Sequence, residues 1–361
     1  MRLKEMKKTN KLNFVNQHIY VGIDVHSKSW VISIVAGELL LGTFTQDPKV
    51  SILLNHLKKN YPLGIYHCVY ESGFCGFWIH DELNANGIDC IVINAADVPT
   101  THKEKDRKTD KIDSKKLAKS LSLGQLNGIF VHEKQLYEER SIIRLRESLV
   151  KEQTRTKNRI KGLMKFFAIE ISDEDVKTHW SKNYIIWLRK QETEYTYTKI
   201  TLNTYLDQLE HLRKLISDIT KRIRLLAHTE RYQQDVNLLT TIPGISMLSA
   251  MILLTELGEI RRFNSLDKLC GYIGLIPSEY SSGEKQTRSH MTKRGKSILK
   301  RIIIESSWTA VRKDPALLMC YTTLSKRMKK TRAIITIARK LVSRIMYVLK
   351  HKKEYQYLLA S

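Results

Sequence analysis

Four carboxylates stand out in a strongly basic chain. Asp24 closes the apolar run Ile19-Tyr20-Val21-Gly22-Ile23, and Glu71 closes Ile65-Tyr66-His67-Cys68-Val69-Tyr70. Asp110 and Asp113 are three residues apart, which sets them on one face of a helix. An acid buried unpaired at the end of an apolar strand costs several kcal/mol, so each needs a partner. A lysine or arginine is one kind of partner, and the stretch 103–119 offers many; Asp106 shares the same helical face. A hard divalent cation is the other kind, because clustered carboxylate oxygens suit Mg²⁺. Two such ions can clamp the attacking and leaving oxygens of a phosphodiester exchange. As an ordered set the four acids favour the cation, and with it metal-dependent phosphoryl transfer on nucleic acid.

A second constellation lies late in the chain. Ser281-Ser282-Gly283 precedes a run with no acid that holds Lys285, Arg288, His290, Lys293, Arg294, Lys296, Lys300 and Arg301. A serine attacking a phosphodiester needs an exposed hydroxyl and cations for the developing charge. These residues alone favour the plainer reading of a turn with general DNA affinity. Tyr280 and Tyr321 are rival nucleophiles, but a tyrosine recombinase has no use for a carboxylate cluster. His26 and His132 read as surface or supporting groups.

The elements that must position these groups follow from pattern. At 361 residues and 42% hydrophobic content the chain has room for two or three domains with buried cores. Its 61 Lys+Arg against 37 Asp+Glu give a formal charge of +24, which calls for a polyanionic partner. Nothing approaches the ~18 apolar residues of a membrane span, and Met1 to Asn13 is basic without an apolar core, so 1–16 reads as a tail. Five cysteines, odd in number and without zinc spacing, fit reduced thiols in a cytoplasm.

Alternation predicts strands over Ile19–Asp24, Trp30–Val35 and Leu39–Thr45, a helix from Pro48 to Lys59, and the strand ending at Glu71. A helix over Gly76–Asn86, a strand over Ile88–Asn94 and a helix over Asp110–Leu121 complete a unit at 17–130. Three antiparallel strands joined to parallel ones is the RNase H-like, α/β arrangement. Residues 131–235 read as helical. They hold a charged helix over Leu136–Phe167, a connector without clear period at 171–200, and a long helix over 201–228. Leu202, Tyr205, Leu209, Leu212, Ile216, Ile219, Ile223 and Leu226 give the last a heptad stripe. The stripe serves either a helical hairpin packed on itself or a dimerisation arm. The third unit, 236–350, is mainly α. Thr241-Ile242-Pro243-Gly244-Ile245 leads into a helix over Met247–Leu257, like half of a helix-hairpin-helix DNA contact. A strand-like run over Leu269–Ile276 precedes the serines, and a last helix covers Arg332–Leu349. A short tail, 351–361, follows.

Val21-Gly22-Ile23-Asp24-Val25-His26-Ser27-Lys28, Tyr70-Glu71-Ser72-Gly73 and Lys108-Thr109-Asp110-Lys111-Ile112-Asp113 together resemble the DEDD-type transposases of the insertion-sequence 110 family. Ile242-Pro243-Gly244-Ile245, Gly271-Tyr272-Ile273-Gly274-Leu275-Ile276-Pro277, Ser281-Ser282-Gly283 and Thr292-Lys293-Arg294-Gly295 resemble the family's C-terminal transposase domain. The ordered set covers about residues 18–350, and Gly274-Leu275-Ile276-Pro277-Ser278-Glu279-Tyr280-Ser281-Ser282-Gly283 points to the insertion-sequence 1111 subgroup. The resemblance implies a RuvC-like N-terminal domain with Asp24, Glu71, Asp110 and Asp113 as Mg²⁺ ligands. It implies a nucleophilic serine, placed at Ser282 with Ser281 still open. It implies a non-coding bridge RNA that pairs with donor and target DNA, and homodimers that join into tetramers. On this basis the stripe at 202–226 leans towards a dimerisation arm.

The expected function is that of an insertion-sequence transposase working through a covalent phosphoserine, in a bacterial cytoplasm and on the nucleoid. No nucleotide-binding loop is present, as befits a reaction that conserves phosphodiester energy. The alternative is a RuvC-like nuclease or junction resolvase with water as nucleophile. A nucleic-acid-binding protein without catalysis is the remaining class, and it would be indifferent to loss of the acids.

Overall fold

In the computed structural model of the chain the described residues are 13–99, 109–169, 180–282, 285–292 and 295–356, with backbone alone over 277–290. They form two compact units, Met1–Val131 and His132–Ser361.

Unit one is built on the alternation of its first strand. In β1 (His18–Val25), Ile19, Val21 and Ile23 are fully buried on one face. They join Ile32 and Ile34 of β2 (Trp30–Ala36), Leu53 and Leu57 of α1 (Val50–Asn60) and Leu83 of α2 (Trp78–Ala85) in one core. β3 (Leu39–Gln46), β4 (Ile65–Glu71) and β5 (Asp89–Ile93) complete a five-stranded sheet of order β3-β2-β1-β4-β5. β1, β2 and β3 pair antiparallel; β4 and β5 add in parallel to β1. Unit one is thus a mixed α/β sheet domain, consistent with the RuvC-like reading, and the remainder of the chain is mostly helical.

The other face of the sheet carries α3 (Asp110–Ser122). Gly22 is what lets it approach. A Cβ there would lie 2.1 Å from the Ser114 carbonyl oxygen and 2.5 Å from the Ala118 nitrogen, both backbone atoms of α3. The Ser33 and Ser114 hydroxyls then hydrogen-bond at 2.9 Å in the buried seam, and Leu117 packs on Val69 and Ile93.

Unit two opens with two long helices, α4 (Lys134–Phe166) and α6 (Thr196–Ala227), with α5 (Lys182–Lys190) between them. Thr156 donates to Gln208 at 3.3 Å and Arg146 to Thr220 at 2.9 Å, so the pair runs antiparallel. Leu202 and Leu209 of the stripe, with Leu206 beside them, pack on Ile160, Met164 and α5, while Ile223 joins the main core. The stripe therefore serves an intrachain hairpin, the plainer of its two readings. The region read as a connector at 171–200 holds α5, capped by Ser181, and the first turn of α6; residues 171–179 of that connector lie outside the described residues.

The rest is a helical body: α7 (Glu230–Thr240), α8 (Met247–Leu257), α9 (Leu266–Ile273), α10 (Ser297–Lys313), α11 (Pro315–Arg327) and α12 (Lys330–His351). One apolar core joins them. The run Leu269–Ile276, expected to be strand-like, is helical up to Ile273. Ser265 caps α9 at its start and left-handed Gly274 (φ 88°) ends it. The basic run divides into β7 (Lys285–Met291), hairpin partner of β6 (Pro277–Ser282), and the start of α10. The Pro243-Gly244 turn packs against α10, since a Cβ at Gly244 would lie 2.3 Å from the Ser306 carbonyl oxygen. Among the described residues no helix is long and apolar enough to cross a membrane.

Candidate metal and phosphoryl-transfer site

Asp24 shares the Gly22 face of β1, two residues on, so it points to the side of the sheet that α3 covers. The first turn of α3 carries Asp110 and Asp113. Acids there are favoured by the unpaired N–H groups of a helix start, by roughly 0.5 kcal/mol each. Close seating of α3 on Gly22 thus brings the first turn to the end of β1. One oxygen each of Asp24 and Asp110 and a His26 ring nitrogen all lie within 4.8 Å of one another. His26 Nε2 is 3.1 Å from Asp24 Oδ2 and 3.4 Å from Asp110 Oδ2.

Glu71 stands at the matching height. Tyr70 pairs with Ile23 in the parallel β1–β4 ladder, so Glu71, one residue on, aligns with Asp24. It shares the strand face of Val69, which packs on α3. The half-buried Asp24 carboxyl is raised above its ordinary value, first by burial and then by the charges of Asp110 and Asp113, against the lowering effect of His26. An acid held among acids in this way lacks positive charge. Among the described residues the ion pairs of Asp24 and Asp110 are made with His26. The group brought together is two aspartates and a histidine, a mixed oxygen and nitrogen set that could hold a divalent cation, while Glu71 and Asp113 stand outside that group. Asp106, the further acid on the same predicted face, lies outside the described residues.

His26 was set aside in the sequence as a surface or supporting group. The structure puts its ring between two of the acids, from the turn where its backbone N–H donates to the Ser29 carbonyl at 3.2 Å. The signal was its position two residues past Asp24, just beyond the strand end.

The serine segment ends β6. Ser281 pairs with Gln286 and Ser282 with Lys285 across the hairpin, and Glu279 with Arg288. His290 belongs to β7. Gly283, Lys293 and Arg294 lie outside the described residues. Lys296 sits at the N-cap of α10, half-buried. Burial holds its amine below the ordinary lysine value, with Arg144, Arg140 and Arg262 adding to the effect and Glu256 opposing it.

The structure thus places a candidate cation site at the end of β1 in a mixed α/β domain. Comparison with known proteins gives the chain a family. Residues 21–169 match the model of DEDD-type transposases, and residues 236–322 match that of the transposase IS116/IS110/IS902 family. A putative transposase of Sinorhizobium fredii, y4qE, is 29% identical over 247 residues, 68% of this chain and 58% of that protein. Another from the same organism, y4rJ, is 30% identical over 298 residues, 76% of this chain and 74% of its own length. The transposase of insertion sequence IS1533 from Leptospira borgpetersenii is 26% identical over 314 residues, 81% and 86% of the two chains. The chain belongs to the IS110 family of transposases, enzymes that recombine DNA.

Proposed function

We propose that this protein is a site-specific recombinase that moves its own insertion sequence, guided by a non-coding bridge RNA, and that it belongs with the insertion-sequence 1111 subgroup. The observation that carries the reading is the meeting of Asp24 and Asp110 at the end of β1, with Glu71 level and the Asp113 charge felt at Asp24. In this reading Asp24, Glu71, Asp110 and Asp113 hold Mg²⁺, which when bound offsets charge on the scissile phosphate. Ser282 attacks the phosphorus, forming a phosphoserine and freeing a DNA hydroxyl. Attack by the exchanged strand's hydroxyl reverses the step, so bond energy is conserved and no nucleoside triphosphate is required. Lys285, Arg288, His290, Lys293, Arg294 and Lys296 steady the DNA backbone. The working particle is a homodimer that pairs into a tetramer, in which the acidic centre of one subunit completes the serine site of another. It acts in the bacterial cytoplasm, on the nucleoid.

The test uses purified protein, RNA transcribed from the element's flanks, Mg²⁺ and labelled donor and target duplexes on a denaturing gel. A protein–DNA adduct is expected, lost in Ser282→Ala and in Asp24→Asn. Cleaved DNA without adduct, unchanged by Ser282→Ala, would replace the serine step by a metal nuclease with water as nucleophile.

A further inference from the structure

The second half of α4 has two unlike sides. Ile160 and Met164 join the core made with Leu202, Leu206 and Leu209 of α6. The side turned away from that core carries Lys151, Arg155, Arg159, Lys165 and Phe166, all exposed. Lys151, Arg155 and Arg159 follow one another in four-residue steps of about 6 Å, and the row reaches about 21 Å to Lys165. One acid serves it: Glu152 accepts from Arg155 at 3.1 Å and from Arg159 at 3.3 Å. Four cations against one acid leave the row positive, and Arg155 and Arg159 stay 69% and 48% exposed despite those bonds. A line of accessible cations of this length suits a chain of phosphates.

The row ends in aromatic rings. Phe166 is 82% exposed. Phe167 packs edge-to-face against it at 5.0 Å and lies 6.3 Å from Tyr195, so the ring is held by a neighbour yet open to water. An apolar patch at the end of a charged row calls for a partner that changes from charged to flat and apolar. Glu192 and Glu194 line a hollow with Phe167 and Tyr195. They repel phosphate there, so the partner's charge stops at Lys165 and its next group is a base.

We infer that the outward side of α4, from Lys151 to Phe166, binds an unpaired stretch of DNA, with phosphates along the cations and one base stacked on Phe166. An unpaired strand is required because a duplex hides the faces of its bases, whereas every unstacked base offers one to an aromatic ring. DNA is the partner because the family recombines DNA, and exchanging strands means separating them first. The site rests on that reading of the chain as a DNA recombinase, and on neither the acidic centre nor the serine.

The experiment takes the full chain and a fluorescein-labelled DNA strand of about 16 nucleotides. The duplex with its complement and a single-stranded RNA of the same sequence serve as comparisons. Binding is titrated against salt for wild type, the double variant Lys151→Gln/Lys165→Gln, Phe166→Ala and Phe166→Trp, and melting temperature and particle mass are recorded for each. The double variant should weaken binding to the single DNA strand about 10-fold near physiological salt and lower the salt slope by about 1.4, about 0.7 for each cation. Phe166→Ala should weaken it about 10-fold at an unchanged slope and leave duplex binding as in wild type. Phe166→Trp should bind the single strand at least as well as wild type. All variants should melt with wild type, because these side chains are exposed. An unchanged slope in the double variant, or equal loss on duplex and single strand in Phe166→Ala, would overturn the site. Loss confined to RNA would overturn the assignment to DNA. A changed particle mass with unchanged DNA affinity in Phe166→Ala would make the aromatic end a contact between copies of the chain. Loss of binding that follows a fall in melting temperature would make these residues structural. The readout is binding, so a protein that shows this signature yet cuts no DNA keeps the site while the phosphoryl-transfer reading falls.

Discussion

The two units seat their key helices by the same device and use them for opposite charge. In unit one α3 lies on Gly22, with Ser114 and Ala118 as the contacting turn; in unit two α10 lies on Gly244, with Ser306 and Ala310. Each pair is a serine and an alanine four residues apart, so each helix offers backbone rather than side chain to the glycine. The seated helix α3 then presents Asp110 and Asp113, whereas α10 follows Lys296 at its N-cap and bears Lys300 and Arg301. One unit sets acids around His26; the other sets cations around Glu256.

The largest expected effect tests the acidic half. Asp24→Asn should reduce Mg²⁺-dependent strand cleavage by about 1,000-fold, the several kcal/mol that metal-borne charge stabilisation is worth. It should leave the melting temperature of the metal-free protein unchanged or higher, because Asp24 is raised by burial and by two neighbouring acids. A fall in melting temperature would mean that Asp24 is structural. The glycine device comes next. Gly22→Ala and Gly244→Ala should each lose about 3 kcal/mol in urea unfolding. Gly22→Ala places its methyl against two backbone atoms that have no free end to move. Gly244→Ala adds strain because φ there is +89°. Conservative change at Ser114 or Ser306 should cost much less, and equal costs would show that the close approach is not what seats the helices.

The same contrast explains what the sequence reveals. The strand ends at Asp24 and Glu71 are legible because period-two alternation runs to the acid and stops, so β1 to β5 and α1 to α3 fall where pattern puts them. The helix Leu266–Ile273 is not, because an unbroken apolar run carries no period and its Ser265 cap and Gly274 stop are single residues. The nine-residue helix at 182–190 is too short to show a period. The start of α10 is hidden in a basic run whose charges are interleaved with the apolar residues Leu299, Ile302 and Ile303. The Arg140–Lys296 cluster draws on four separate elements, and no local spacing links residues so far apart in the chain. His26 escapes for another reason: its role depends on which way a turn aims a ring.

A second acid sharpens the comparison. Asp314 in unit two is 2% exposed, deeper than Asp24, yet its carboxyl is held below the ordinary range. Burial alone would raise it, but the Tyr355 hydroxyl at 2.6 Å, the Leu317 N–H at 3.0 Å and Arg344 at 2.5 Å prevail. Asp314→Asn should therefore destabilise by about 2 kcal/mol, a charged hydrogen-bonded acid's contribution. Since its folded pKa lies below the unfolded one, that contribution is present above about pH 4 and is lost as pH falls through the folded value. The gap between wild type and Asp314→Asn in chemical unfolding should close on acidification. A gap constant with pH would mean that packing, not charge, fixes Asp314.

The smallest effect uses two histidines in opposite surroundings. His26 stands between acids, while His132 stands among cations and is pushed down to about 4 by burial, then by Arg140, Arg262 and Lys296, with Glu256 opposing. His132 is therefore neutral in the folded protein at a pH where the unfolded chain, near 6.5, already takes a proton. Stability must fall as pH drops from about 6.5 to about 4 and level off below that. The loss assigned to this one group is about 1–2 kcal/mol, after allowance for its partial exposure to solvent. His132→Gln should flatten that segment of the stability curve, and so should removing a neighbouring charge by Lys296→Gln, though by less. If His132→Gln leaves the slope between pH 6.5 and 4 untouched, the surplus of positive charge in unit two is already met by groups of the protein itself. The contrast with the acidic centre would then be one of composition and not of function.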